Sequence, residues 1–170
     1  MPADRVALDV REALPPDCAR ISEIYNYYVL NSTATFAVEP ESLGTRMEWF
    51  EEHEREGLPV IVAECDGNVV AWGSLSYYHR RCAYRQTLEP SVYVDHDYVR
   101  RGFGKTLTQR LIELAHARGD HVLVGLACSE NKESIAMTEA SGFQKVGVLK
   151  EVGRKFDRWL DVTILQMVLQ

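Results

Sequence analysis

A chain of 170 residues with 46% hydrophobic side chains can bury one sizeable core, so a single domain spanning 1–170 is expected. Nineteen Lys and Arg against 25 Asp and Glu leave a formal charge of −6 and an isoelectric point near 5.4, which argues against nonspecific nucleic-acid binding, where a basic face is needed. No apolar run approaches a membrane span, and the opening MPADRVALDV lacks the basic start and apolar core of a signal peptide, so no membrane partner and a cytoplasmic location are expected.

In chain order, RVALDVREA (5–13) reads as a first strand. LPPDCARISEIYNYYVLNS (14–32) starts a helix with proline and an Asp17 cap, and Ile21, Ile24, Tyr25, Tyr28 and Val29 recur at helical spacing on one buried face. A second helix covers about 43 to 56, with Met47 and Phe50 inward, and stops at Gly57-Leu58-Pro59. VIVAEC and NVVAWGSLS flank Asp66-Gly67, the preferred chemistry of a two-residue turn, and this hairpin is expected at the centre of the sheet. After the arginine-rich loop YYHRRCAYRQT, the strand EPSVYV (89–94) leads through two arginines and two glycines into a helix. Phe103, Leu107, Leu111 and Leu114 share a face of that helix, and Arg118-Gly119 closes it. HVLVGLACS is a strand, ENKESIAMTEASGF a short helix ending at Gly142, and QKVGVL and DVTILQMVL are the last two strands. The order β-α-α-β-β-β-α-β-α-β-β predicts one mixed α/β sheet.

The four cysteines, Cys18, Cys65, Cys82 and Cys128, are scattered without a C-x-x-C pair and read as small core residues. His116 and His121 are separated by a helix end, and no thiolate or carboxylate completes a set, so no metal site is expected. The turn VRRGFGKT does carry a signal. A P-loop requires glycine where Val99 stands, and a dinucleotide fingerprint requires a third glycine where Leu107 stands, so both familiar phosphate motifs fail. What remains is a helix N-terminus opened by Gly102 and Gly104 and surrounded by Arg100, Arg101 and Lys105, with the Thr106 hydroxyl at hand. Such an arrangement suits an anion, because the orphan N–H groups and the dipole both favour negative charge.

The element order, the R-R-G-F-G turn after VYV, and the later N-x-x-S-I…S-G-F helix together resemble the Gcn5-related N-acetyltransferases. NSTATF, TLEPSVYV and VGRKFDRWLDV narrow the resemblance to the phosphinothricin and methionine sulfoximine acetyltransferase branch, nearly end to end. The resemblance implies a single-domain fold with a central mixed, mostly antiparallel twisted sheet flanked by helices. It also implies acetyl-CoA as co-substrate, a small amino acid or amino-acid analogue as acceptor, and a homodimer.

Residue by residue, the resemblance assigns the pyrophosphate to Arg100, Arg101, Gly102, Phe103, Gly104, Lys105 and Thr106, and the pantetheine arm to the backbone of Val92 and Val94 and to Asn131. It makes Glu89 the base that takes a proton from the amine, directly or through water, because an ammonium has no lone pair. Arg80 and Arg81, with Arg85 nearby, would meet the acid groups of the acceptor, and Phe36 and Trp72 would supply an apolar wall. Ordinary roles stand beside each of these: Glu89 as a strand start before Pro90, Asn131 as a helix cap, the arginines as solvated charge. Lys155, Trp159 and Asp161 mark the branch and receive no chemistry. Two positions depart from the family: Val99 replaces a Gln or Arg, and Thr138 stands where relatives carry the His or Tyr that protonates the leaving thiolate. Tyr93 is the substitute acid on offer. Acetylation of a protein amine or polyamine, and a catalytically weak acyl-CoA-binding module, are the competing functions.

Overall fold

The computed structural model describes residues 9–169, and its elements follow the expected chain order: β1 (Asp9–Glu12), α1 (Cys18–Asn31), α2 (Leu43–Glu56), β2 (Val60–Cys65), β3 (Asn68–Tyr77), β4 (Thr87–Val94), α3 (Phe103–Arg118), β5 (Val122–Cys128), α4 (Lys132–Ala140), β6 (Gln144–Lys155) and β7 (Arg158–Val168). Residues 5–8 of the first expected strand lie outside the described residues. The strands form one seven-stranded sheet in the order β1-β2-β3-β4-β5-β7-β6. All neighbours are antiparallel except β4 and β5. The β2–β3 hairpin, expected at the centre, is one place off it, and β4 is the middle strand. A short hairpin reads as central because both its strands are apolar, but here helices cover both of its faces.

The period of two along each strand sorts side chains between two cores. Ile61, Ala63, Ala71, Leu75 and Leu88 pack with Phe103, Leu107, Leu111 and Ala115 of α3. Val60, Val62 and Trp72 point the other way and pack with Ile21 and Ile24 of α1 and Phe50 of α2. Gly73 lets α3 lie close to the sheet, since a Cβ there would stand 3.1 Å from both Leu111 Cδ1 and Ser91 O. Fully burying each large aliphatic side chain contributes about 1.5–3 kcal/mol.

Two local expectations change. Asp17 does not cap α1; its carboxylate accepts from Leu14 N at 2.7 Å and from Arg11 at 2.7 and 3.0 Å, tying the start of α1 to β1. The last hairpin is longer than its apolar pattern suggested, because it turns at Phe156-Asp157, both left-handed at φ 51 and 56. Neither residue is the glycine or asparagine that normally announces such a turn. Asp161 fixes the bulge in β6 by accepting from Lys150 Nζ and Glu151 N, both at 2.8 Å.

The feature that positions chemistry is a split in the sheet. β4 and β5 pair only at Thr87↔Val122 and Leu88↔Leu123, after which β5 continues with β7 alone. Leu75 N–H donates to Pro59 O at 3.1 Å, so in the Leu75↔Pro90 pair the backbone groups point away from each other. Pro90, Val92 and Val94 therefore turn their backbone toward the gap. Pro90 has no N–H to offer a neighbouring strand just where the strands part.

Candidate active site

Along the open edge of β4, Val94 O accepts from the Tyr28 hydroxyl at 2.5 Å. Burial pushes that phenol up to about 12, so it stays a neutral donor. Among the described residues, no strand takes the N–H and C=O of Val92 or the N–H of Val94. These groups form a ladder with one side missing, which an extended amide-bearing arm would complete.

At the end of that edge the chain turns into α3. Arg100 and Gly102 are both left-handed, at φ 64 and 90. Thr106 N closes the first helical bond on Gly102 O at 3.0 Å, and no side chain caps the helix, which leaves the N–H groups of Phe103, Gly104 and Lys105 for an anion. The two glycines are there for different reasons. A Cβ on Gly102 would meet nothing within 4 Å, so its requirement is the backbone angle. A Cβ on Gly104 would come 3.0 Å from Met137 Sδ of α4 and 3.7 Å from Val94 Cγ2. The arginines are partly engaged: Arg100 with Glu133 at 3.0 Å, Arg101 with Asp97 O at 3.2 Å and over the Tyr98 ring at 4.8 Å. Asn131 Oδ1 caps α4 by accepting from Ser134 N at 3.3 Å.

On the opposite face, under α1 and α2, lies a cavity of about 330 Å³. Its floor consists of the cross-strand pairs Trp72↔Tyr93, Ser74↔Ser91 and Ser76↔Glu89, all on one side of β3 and β4 by the period of two. Arg46, Trp49, Tyr25, Thr35 and Glu41 complete the walls. The Glu89 carboxylate has no hydrogen bond or ion pair to any described residue, and burial alone raises its pKa above the usual carboxylate range. An unpaired carboxylate in a partly enclosed cavity is poised to take a proton. Ser76 is held from behind by His53 Nε2 at 3.0 Å, while His53 Nδ1 lies 2.9 Å from Trp49 O. A carbonyl only accepts, so Nδ1 carries the proton, and burial lowers the imidazole's pKa.

The remaining expected residues fall elsewhere. Trp72 is in the cavity wall, but Phe36 packs on the backbone of Gly153, where a Cβ would overlap its ring. Arg80, Arg81 and Arg85 line a separate hollow of about 140 Å³, and Arg80 is taken up by Glu52 at 2.6 Å and Glu56 at 2.9 Å. Thr138 donates its hydroxyl to Ser134 O at 2.8 Å within its own helix. Burial raises Tyr93 as well, which makes it a poorer acid than an ordinary phenol. Among the described residues, Asp95, His96 and Asp97 are close enough to share an ion, but Asp95 is engaged by Arg20 and by Asp97 N. Sequence reasoning missed Arg46, Trp49, Ser74, Ser76 and Ser91 as cavity residues. The available signal was the series Trp72, Ser74, Ser76, a polar face on a strand otherwise apolar, matched by Glu89 and Ser91 on the next.

The acetyltransferase (GNAT) family model matches residues 21–143. The chain belongs to the GNAT acetyltransferase family. It is 38% identical to an L-methionine sulfoximine/L-methionine sulfone acetyltransferase of Pseudomonas aeruginosa over 96% of each chain. A phosphinothricin acetyltransferase from Sinorhizobium meliloti, solved in complex with acetyl-CoA, superposes with a TM-score of 0.93 at 32% identity, covering 95% of this chain and 88% of that one. The structure of a ribosomal-protein-alanine N-acetyltransferase from Brucella melitensis superposes with a TM-score of 0.93 at 38% identity, covering 95% of this chain and 99% of that one. This GNAT enzyme is thus an acetyltransferase in the branch its motifs resemble.

Proposed function

We propose that this acetyltransferase transfers an acetyl group directly from acetyl-CoA to the α-amine of a small amino acid or amino-acid analogue, with Glu89 as general base. The observation that carries the reading is the unpaired, half-buried Glu89 carboxylate in a cavity that opens on the strand whose backbone edge faces the β4–β5 gap. In this reading the uncapped α3 N-terminus, with Arg100, Arg101, Lys105 and Thr106, holds the pyrophosphate, and the backbone of Val92 and Val94 with Asn131 holds the pantetheine arm. Glu89 accepts a proton from the ammonium, the neutral nitrogen attacks the thioester carbon, the C–N bond forms, and the C–S bond breaks as the nitrogen gives its second proton to solvent. With Thr138 committed to Ser134 O, solvent protonates the thiolate, which is tolerable for a thiol of pKa about 8.5. Phe36, Arg80 and Arg81 have no part in it.

The relatives support a small acceptor, since one acts on methionine sulfoximine and another on phosphinothricin. The Brucella relative favours a second reading, acetylation of a protein amine at an alanine. Thiol release from acetyl-CoA, measured with methionine sulfoximine, phosphinothricin, spermidine and an alanyl peptide, decides between them. Release with no amine in the panel overturns both.

We also infer a homodimer. The edge hairpin β6–β7 exposes Val152, Phe156 and Trp159 at 53, 51 and 62%, an apolar patch costly to leave in water. Light scattering should give twice the 19.3 kDa chain mass, and a monomer at micromolar concentration overturns the assignment.

A further inference from the structure

Acetyl transfer at Glu89 leaves one charged group of the cavity without a task. Arg46, in the first turn of α2, is only 3% exposed and lines the cavity. A guanidinium has five N–H donors. Among the described residues only Nε finds an acceptor, Glu41 Oε1 at 2.5 Å, and both terminal nitrogens are left over. The fork is held in place. Its carbon lies 4.3 Å from the Trp49 ring centre, 4.9 Å from Tyr25 and 5.0 Å from Trp72. Glu41 in turn is pinned to α1, where Asn26 Nδ2 donates to Glu41 O and Asn26 Oδ1 accepts from Glu41 N, both at 2.9 Å. Trp72, in the same wall, has an indole N–H that is buried without a partner. Glu41 balances the charge, but a buried guanidinium with four unused donors remains costly unless further acceptors complete it.

We propose that Arg46 anchors the α-carboxylate of the acceptor, so that the site takes free amino acids rather than amidated or peptide-linked ones. This rests on the acceptor reading above. The planar fork matches two carboxylate oxygens. In an α-amino acid the amine and the carboxylate share one carbon, so a single small molecule can present its amine to Glu89 and its acid to Arg46. Tyr25, Trp49 and Trp72 then offer the side chain an apolar bed. At a peptide N-terminus the same position is a neutral amide, which would strand the fork.

The test compares kcat/KM for methionine sulfone with that for its α-carboxamide, in the wild type, in Arg46→Lys, and in Arg46→Gln combined with Glu41→Gln, which removes both charges together. The wild type should prefer the acid by roughly 100-fold, and that ratio should fall at least roughly tenfold in both variants, as loss of charge-assisted bonds predicts. A loss shared equally by acid and amide, leaving the ratio unchanged, marks Arg46 as packing and overturns the anchor. So does a wild type that acetylates the amide as readily as the acid, although acetylation itself then stands. If no amine is acetylated, the acceptor reading fails by itself. Calorimetry with 4-(methylsulfonyl)butanoate, which keeps the carboxylate and lacks the amine, still decides the anchor: binding weakened roughly tenfold or more in the variants supports it, and equal binding sinks it.

Discussion

Glu89 and Thr138 show how much one side chain's surroundings determine its task. Glu89→Gln should lower kcat by roughly 100-fold or more, with less effect on acetyl-CoA affinity, because a positioned base acts only on the amine. The wild-type rate should rise with pH through a carboxyl raised above its reference 4.5, and the variant's loss should shrink at high pH as the amine deprotonates unaided. Stability moves the opposite way. A carboxyl whose folded pKa is raised favours the protonated folded state, so the wild type loses stability as pH rises from 4.5 through the raised value. Glu89→Gln should therefore melt higher than wild type at neutral pH, an advantage that disappears below 4.5. A variant that melts lower than wild type at neutral pH would show that the carboxylate has a partner. Thr138→Ala removes only a bond to its own helix, so turnover should stay within about threefold, given that such back-bonding adds little. A large fall in kcat for a folded variant would reveal a role for the hydroxyl.

Among the elements, the entry to α3 separates two uses of glycine. Gly102→Ala places a Cβ on a residue at φ 90, which costs about 1–2 kcal/mol even though the space is open. Gly104→Ala requires only that the flexible end of Met137 yield, and alanine returns up to about 1 kcal/mol of helix propensity, so its melting temperature should match wild type. Its acetyl-CoA affinity, read by calorimetry, should nevertheless fall, because the new methyl stands 3.7 Å from Val94, where the open edge of β4 meets the turn into α3. Unchanged affinity would mean that Gly104 serves the packing of α3 on α4 alone. Sequence motifs announced the turn but not this division, since two glycines look alike until their φ angles and neighbours are known.

Across the whole molecule, Lys155 links the last hairpin to the roof of the cavity. It is buried, and its Nζ donates to the carbonyls of Ser32 at 2.7 Å, Thr35 at 2.8 Å and Tyr28 at 3.4 Å. These are the end of α1 and the strap that carries Thr35 to the cavity wall. Lys155→Met keeps the length and removes the donors, and should destabilise by about 1–3 kcal/mol through orphaned carbonyls. KM for the acceptor should rise more than kcat falls, because the strap shapes the cavity and does not perform chemistry. Equal melting temperatures in wild type and variant would show that water replaces the ammonium.

The order of elements, the two helix faces, the Asp66-Gly67 hairpin and the glycine-opened turn into α3 were legible in the sequence because each follows from local periodicity or turn chemistry. Glu89 was offered as a candidate base by the family resemblance alone, and only the fold leaves its carboxylate unpaired. The acceptor side was not legible. Arg80 and Arg81 look available in a polar loop, yet folding brings Glu52 and Glu56 of α2 to Arg80. Arg46 looks like a surface charge on an amphipathic helix, yet three aromatic rings from α1, α2 and β3 close around it. Local patterns report which way a side chain points from its own element. Which charge is compensated and which is left to a ligand depends on partners far away in the chain, and only the tertiary structure brings those together.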